Sequence, residues 1–168
     1  MALETTGMPQ NISPDMQQLL ADLRKGRAEA AAKPTVGERF VIPRKDKAGV
    51  NVILHRPAVT DGKPLPVLFN LHGGAWIGGD AILMESFCSL LAEKLPALVV
   101  NVNYTKVDEQ PYPYAWEELL DAVLYFAAHA EEYNVDPARM VVGGHSAGAH
   151  IALGAAMLLR DVNFPLAG

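Results

Sequence analysis

Read for its alternation of apolar and polar positions, the chain changes texture near residue 35. Before that point only one segment is patterned: Met16, Leu19, Leu20 and Leu23 form an apolar stripe at helical spacing. Ser13-Pro14-Asp15 precedes it, with a serine to cap the helix, a proline preset for its first turn and an acid at the positive end of its dipole. The spacing predicts a helix running toward Ala32, stopped by Pro34 and weakened in its second half by Gly26. Residues 1–35 are therefore set apart as an N-terminal, cap-like helical segment, either packed on the surface of residues 36–168 or serving as a docking or lid element.

From Glu38 onward short apolar runs alternate with helical stripes. Arg39–Ile42 and Val50–Leu54 read as two strands joined by the polar turn Arg44–Gly49, an antiparallel pair. Asp61-Gly62-Lys63-Pro64 is a turn. Pro66–Leu71 and Ala97–Val102 are nearly continuous apolar runs, as central strands covered on both faces require. Between them Met84, Phe87, Cys88, Leu91 and Leu95 make a helical stripe that puts Cys88 in the core. Trp116, Leu119, Leu120, Val123, Leu124 and Ala127 make a second stripe. The opposite face of that helix carries Glu118, Asp121, Tyr125, His129 and Glu132, which are expected in solvent. Strand and helix in alternation predict an α/β protein, a three-layer α/β/α arrangement around a mostly parallel central sheet.

Composition narrows the class. The 168 residues, half of them hydrophobic, suit one globular domain with a real core. A net charge of −5 with scattered basic residues leaves no nucleic-acid footprint. The single Cys88 allows no intrachain disulfide, and no cluster of metal ligands is visible, so neither a metal nor a cofactor is expected. Residues 1–16 lack a basic and apolar leader, and no apolar run is long enough to span a bilayer. A cytoplasmic location is the expectation.

Chemistry concentrates in two glycine-rich segments. Gly144-His145-Ser146-Ala147-Gly148 follows the apolar run Met140-Val141-Val142 and precedes a helical segment, the pattern of a nucleophile elbow. Ser146 stands at the tip of a sharp strand-to-helix turn. The flanking glycines are small because that turn brings backbones together. His72-Gly73-Gly74-Ala75-Trp76 follows the run ending at Leu71. There Gly73 and Gly74 can turn successive N–H groups toward a substrate oxygen, and the Ala147 N–H supplies a third donor. Ser146 is thus the candidate nucleophile, with Gly73, Gly74 and Ala147 as the candidate oxyanion hole. Trp76, Tyr112 and Tyr114 either line an apolar entrance or pack beside proline turns.

These residues carry a resemblance. HGGAW at 72–76, NYTKVDEQPYPYAWEELLDA at 103–122 and VDPARMVVGGHSAGAH at 135–150 resemble the α/β-hydrolases of the hormone-sensitive-lipase-like carboxylesterase group, over roughly Val36 to Asp161. Three departures stand out. Ala75 replaces a third glycine, His145 stands where an acid is common, and Ala149-His150 stands where Gly-Asn is common. The resemblance implies an α/β-hydrolase fold whose C-terminal strands and helices are missing, and a serine hydrolase acting on small-molecule carboxylic esters.

The remaining triad members are the difficulty. Only 22 residues follow Ser146. The one acid after it, Asp161, lies about 20 Å along the same helix at helical rise. His145 should point away from the serine, His150 should pack beneath the elbow, His72 should orient its own loop, and His55 lies in the early strand pair. The base and its acid are expected outside this sequence, leaving the chain weak or inactive alone. An inactive association or binding module on the same fold is the alternative, as is an amidase or formamidase. The strand ending at Gly143 would keep an open edge, through which copies of the chain could form a homo-oligomer.

Overall fold

The computed structural model describes residues 12–58 and 60–168. Residues 1–11, most of the stretch read above as lacking a leader, lie outside the described residues. The elements run α1 (Pro14–Ala31), β1 (Glu38–Ile42), β2 (Val50–His55), β3 (Leu65–Leu71), a 3-10 turn (Ala81–Met84), α2 (Glu85–Lys94), β4 (Leu98–Asn103), α3 (Tyr114–Ala128), α4 (Ala130–Tyr133), β5 (Val135–Gly144) and α5 (Ala147–Asp161). Among the described residues no helix is long and apolar enough to cross a membrane.

The five strands form one sheet in the order β1-β2-β4-β3-β5. β3 pairs in parallel with β4 on one side and β5 on the other, as two successive crossovers through helices dictate. β1 pairs antiparallel with β2, as its turn predicts, and β2 joins β4 antiparallel as well. The sheet is therefore mixed: β2 runs against the direction of the other four strands. β5 is longer than its apolar run because Val135 already pairs with Leu65. A register shift across Asp136–Arg139 follows, held by the Asp136 carboxylate on Ala138 N–H and the Arg139 guanidinium.

Side chains alternate across the sheet and build a core on each face. Val67, Phe69, Leu71, Leu98, Val100 and Val102 pack against Leu119, Val123 and Phe126 of α3 and Ile151, Ala155 and Leu159 of α5. On the other face Val99 and Leu68 meet Cys88 and Ala92 of α2, so the thiol is structural. Burial pushes that thiol up to about 12, which keeps it protonated and inert. Nearby, Ile53 packs with Ala81, Ile82 and Ala30 of α1. The result is three layers, with α1 and α2 on one face and α3 and α5 on the other.

Several surface assignments differ from the periodicity. Glu118, expected in solvent, is buried and accepts hydrogen bonds from Thr105 N–H (2.7 Å) and Thr105 Oγ1 (2.6 Å). A helical wheel places it opposite the sheet, but the loop leaving β4 docks over that flank. His129 is half-buried at the end of α3, stacked on Tyr125 with its ring centroid 4.1 Å away. Phe87 and Leu95 of the α2 stripe are largely exposed. In α1 the serine cap is made, Ser13 Oγ accepting Met16 N–H, but only Leu20 of the apolar stripe is buried; Met16 and Leu19 are exposed. The edge of β5 expected to be open is occupied in part, because Met140 C=O accepts Ala167 N–H and Val142 N–H donates to Gly168 C=O.

Candidate active site

β3 and β5 lie side by side and in parallel, so their C-terminal ends release two segments next to each other: residues 72–79 after Leu71 and the turn 144–148 after β5. The turn is tight. Ser146 has φ 51° and ψ −117°, a conformation that costs a non-glycine residue roughly 1–3 kcal/mol and exposes its side chain at the tip. The turn is tied to β3 by His145 N–H to Leu71 C=O (3.0 Å) and closed by Gly148 N–H to His145 C=O (2.8 Å). A Cβ on Gly148 would stand 2.3 Å from Leu71 O and 2.6 Å from His72 O, so only glycine lets α5 start this close to β3. The Ser146 hydroxyl makes no capping bond to the helix behind it.

The segment 72–79 is built differently. Gly74 has φ +137°, and a Cβ there would stand 2.1 Å from Gly78 O. Ala75 (φ 51°) and Trp76 (φ 63°) also lie in the left-handed region, at a cost of roughly 1–2 kcal/mol each. Gly73 lies against the elbow: a Cβ on it would be 3.4 Å from Ser146 Cβ and 3.2 Å from His145 O. Two hydrogen bonds fix the peptide planes. Tyr104 Oη donates to His72 C=O (3.2 Å), and His72 Nδ1, with Gly73 C=O as its partner at 2.6 Å, must donate there. A trans peptide points its N–H opposite its C=O. Holding those two carbonyls from behind therefore turns the N–H groups of Gly73 and Gly74 the other way. Neither N–H, nor that of Ala147 in the first turn of α5, donates to a protein acceptor among the described residues.

The imidazole of His72 is buried and stacked on the Tyr104 ring, centroids 4.4 Å apart. Burial foremost, with the Lys106 ammonium nearby, pushes its pKa down to about 4. It is neutral at physiological pH with its one N–H at Nδ1, and its Nε2 lies 3.3 Å from Asn103 Oδ1, the contact that joins the loop to the residues behind it. Lys106 is itself buried and drawn down to about 8 by desolvation. Its ammonium donates to Asn103 Oδ1 (3.1 Å), while Asn103 Nδ2 donates to Asp80 Oδ2 (2.7 Å). Asp80 in turn caps the 3-10 turn through Ile82 N–H (2.9 Å).

Beside the elbow opens an apolar cleft of about 190 Å³, walled by Trp76, Val107, Tyr112, Pro113, Trp116 and His150 among others. Trp76 and Tyr112 thus come together there. Tyr114 does not; its ring lies under the Arg44 guanidinium, 4.8 Å from the centroid, away from the cleft. His150, expected beneath the elbow, is exposed instead: its Nδ1 accepts the Trp76 indole N–H (3.3 Å), and its ring meets Trp116 at 5.5 Å. One helical turn after Ser146 the side chain leaves α5 on the cleft side, which the sequence spacing leaves undetermined. His145 turns edge-on to Phe87 (5.2 Å), and His55 is buried against Ser89 Oγ (3.1 Å) in the early strand pair. Asp161, at the far end of α5, pairs with Arg160 (2.7 Å).

Sequence reasoning missed Tyr104, Asn103 and Asp80, the residues that hold the 72–79 segment from behind. The only signal for them is their place in the stretch 103–122 and the N-cap position of Asp80. It also missed the contact of α1 with that segment.

Comparison with known proteins agrees with this architecture. A model of the alpha/beta hydrolase fold matches residues 68–168. A protein of Acanthamoeba polyphaga mimivirus named as an alpha/beta hydrolase, R526, is 32% identical over 145 residues, 86% of this chain and 41% of its own length. The versiconal hemiacetal acetate esterase of Dothistroma septosporum is 32% identical over 120 residues, 71% of this chain and 36% of its own. Among solved structures, a bacterial heroin esterase superposes with a TM-score of 0.75 at 30% identity, covering 92% of this chain and 55% of the esterase. The chain spans about two fifths of the length of these curated relatives. It belongs to the α/β-hydrolase fold family, on the side of the hormone-sensitive-lipase-like carboxylesterases that its motifs resemble.

Proposed function

We propose that Ser146 is the nucleophile of a serine hydrolase acting on small carboxylic esters. Its Oγ attacks the ester carbonyl, and the N–H groups of Gly73, Gly74 and Ala147 receive the oxyanion of the tetrahedral intermediate. The observation that carries this reading is the juxtaposition at the strand ends. A strained, exposed serine has Gly73 against its Cβ, and three neighbouring N–H groups have no protein acceptor among the described residues. Each such donor is worth about 100- to 1,000-fold in turnover. The cleft beside Trp76 and Tyr112 would take a short apolar group of the ester. Relatives named as esterases support the ester class.

The mechanism needs a base to take the serine proton and an acid to orient it. Neither role is assigned to the five histidines of this sequence. His72 is neutral with its donor spent on Gly73 C=O, His145 and His150 face Phe87 and Trp76, and His55 and His129 lie elsewhere. In this reading base and acid come from outside the 168 residues, and the chain alone turns over slowly. An amidase on the same scaffold differs only in the leaving group.

A fluorophosphonate probe and p-nitrophenyl esters test the reading in the wild type and in Ser146→Ala. Ser146-dependent labelling is expected, and in a form that holds the base the substitution lowers ester hydrolysis by on the order of 10,000-fold or more. A folded protein that is never labelled at Ser146 would overturn the reading in favour of an inactive binding module. Faster cleavage of matched anilides than of esters would move it to the amidases.

A further inference from the structure

We propose that Arg27 of α1 is a positioning residue for the oxyanion loop, clamping residues 74–79 to the loop after β4. The inference rests on the role assigned above to Gly73 and Gly74. The guanidinium of Arg27, only 11% exposed, donates to the backbone carbonyl of Ile77, to both carboxylate oxygens of Asp108 (3.2 and 3.1 Å) and to Glu109 (2.7 Å). Asp108 has a fully buried side chain and also accepts from Arg24 (2.8 Å). One residue before Asp108, in the cleft wall, Val107 N–H donates to Trp76 C=O (3.1 Å). Leu23 of α1 lies over Gly78, where an added Cβ would be 3.2 Å from its methyl group. Consecutive carbonyls of the loop, Trp76 and Ile77, are thus held by two partners, and those partners are joined to each other by the Arg27–Asp108 pair.

The need for such a clamp follows from the backbone. Gly74, Ala75 and Trp76 have consecutive positive φ values, two of them at residues that disfavour it. Strain of this kind persists only where the surroundings over-determine it. Within the loop itself Ile77 N–H and Gly78 N–H both return to Gly74 C=O, which closes the turn but does not fix it to the sheet. The anchor at the Gly73 end is His72. The anchor at the Ile77 end is Arg27, and its bidentate fork is what allows one side chain to hold both a carboxylate and a carbonyl. Released at that end, the strained turn relaxes, and the Gly74 N–H leaves the direction that His72 sets.

Hydrogen exchange and Ser146 labelling together test this. Arg27→Gln should speed exchange of the Ile77, Gly78 and Val107 amides tenfold or more while β3, β4 and β5 keep their protection. It should slow fluorophosphonate labelling of Ser146 about tenfold, and where turnover is measurable lower kcat with KM within twofold. Arg27→Lys, which keeps the charge but not the fork, should fall between, and Asp108→Asn, which also loses the Arg24 pair, should cost less on top of Arg27→Gln than it does alone. Lys25→Gln, on the exposed face of α1, should match the wild type. Unchanged exchange at those three amides would overturn the proposal, as would faster exchange spread evenly through the sheet. If Arg27→Gln does not fold, Arg27→Lys carries the same comparison. Should Ser146 never be labelled in any variant, the proposed function fails, while the exchange pattern still decides whether the clamp exists.

Discussion

The two backbone segments that meet at Ser146 leave neighbouring parallel strands, yet they hold their shape in opposite ways. The elbow at 144–148 is self-contained: its strain, its glycines and its closing hydrogen bonds all involve residues within the turn or the adjacent end of β3. The segment 72–79 has as much strain and no such economy. It depends on Tyr104, on the Asn103–Lys106–Asp80 network, on Val107, and on an arginine 50 positions earlier in the chain. A tight turn between two packed elements can be fixed locally, because its neighbours leave room for one path only. A wider loop has many paths and needs remote side chains to select one.

The comparison is broken most severely at the elbow. Gly148→Ala sets a methyl carbon 2.3 Å from a backbone oxygen of β3, where neither side can yield without shifting α5 or the sheet. We expect a loss of about 3 kcal/mol or more, seen as a drop of roughly 10 °C in Tm, together with loss of Ser146 labelling. Retained stability would show that the elbow is looser than its local bonds imply.

The loop should answer to pH through His72. His72 binds a proton at about 4 when folded and near 6.5 when unfolded. The unfolded chain therefore holds more protons below neutrality, and stability rises with pH through that window. Between pH 7 and pH 5 roughly 2 kcal/mol should be lost by this group, measured as a change in urea midpoint at constant m. His72→Gln should remove that part of the slope. A smaller slope would remain from His55, whose pKa is also lowered by burial. An unaltered pH profile in the variant would mean that His72 is not the loop's buried anchor.

The smallest effect is expected at Ala75. Its φ of 51° costs an alanine roughly 1 kcal/mol, while glycine adds freedom to the unfolded chain. Ala75→Gly should leave stability within about 1 kcal/mol of the wild type, on the stabilising side, with labelling of Ser146 unimpaired. A marked loss would show that the methyl group packs rather than strains.

Which features could be read in advance follows the same division. β1, β2, β3 and β4 stand within a residue or two of their apolar runs, and Cys88 is in the core as its stripe requires. His72 holds its own loop as expected, because the partner of its Nδ1 is the next residue. Glu118 and His150 were misplaced for a common reason: helical spacing states which residues share a face but not which loop or side chain covers that face. Trp76 and Tyr112 meet at the cleft while Tyr114, two positions on, lies under Arg44, a separation that turns on the path of residues 107–113. The antiparallel attachment of β2 to β4 was also invisible, since an apolar run does not name its partner.

By itself the sequence determined the α/β layering and the elbow, because both rest on interactions between residues near one another in the chain: alternation within a strand, stripes within a helix, glycines flanking one turn. Only the tertiary structure decided how the second segment is aimed. The direction of the Gly73 and Gly74 N–H groups depends on Tyr104 and His72 behind them, and the far end of their loop is held by a guanidinium paired with a carboxylate 81 positions away. Such pairs cost little sequence signal, since any exposed-looking arginine and aspartate would serve. They acquire meaning only when folding buries them together, where an unmet charge is too costly to leave unpaired.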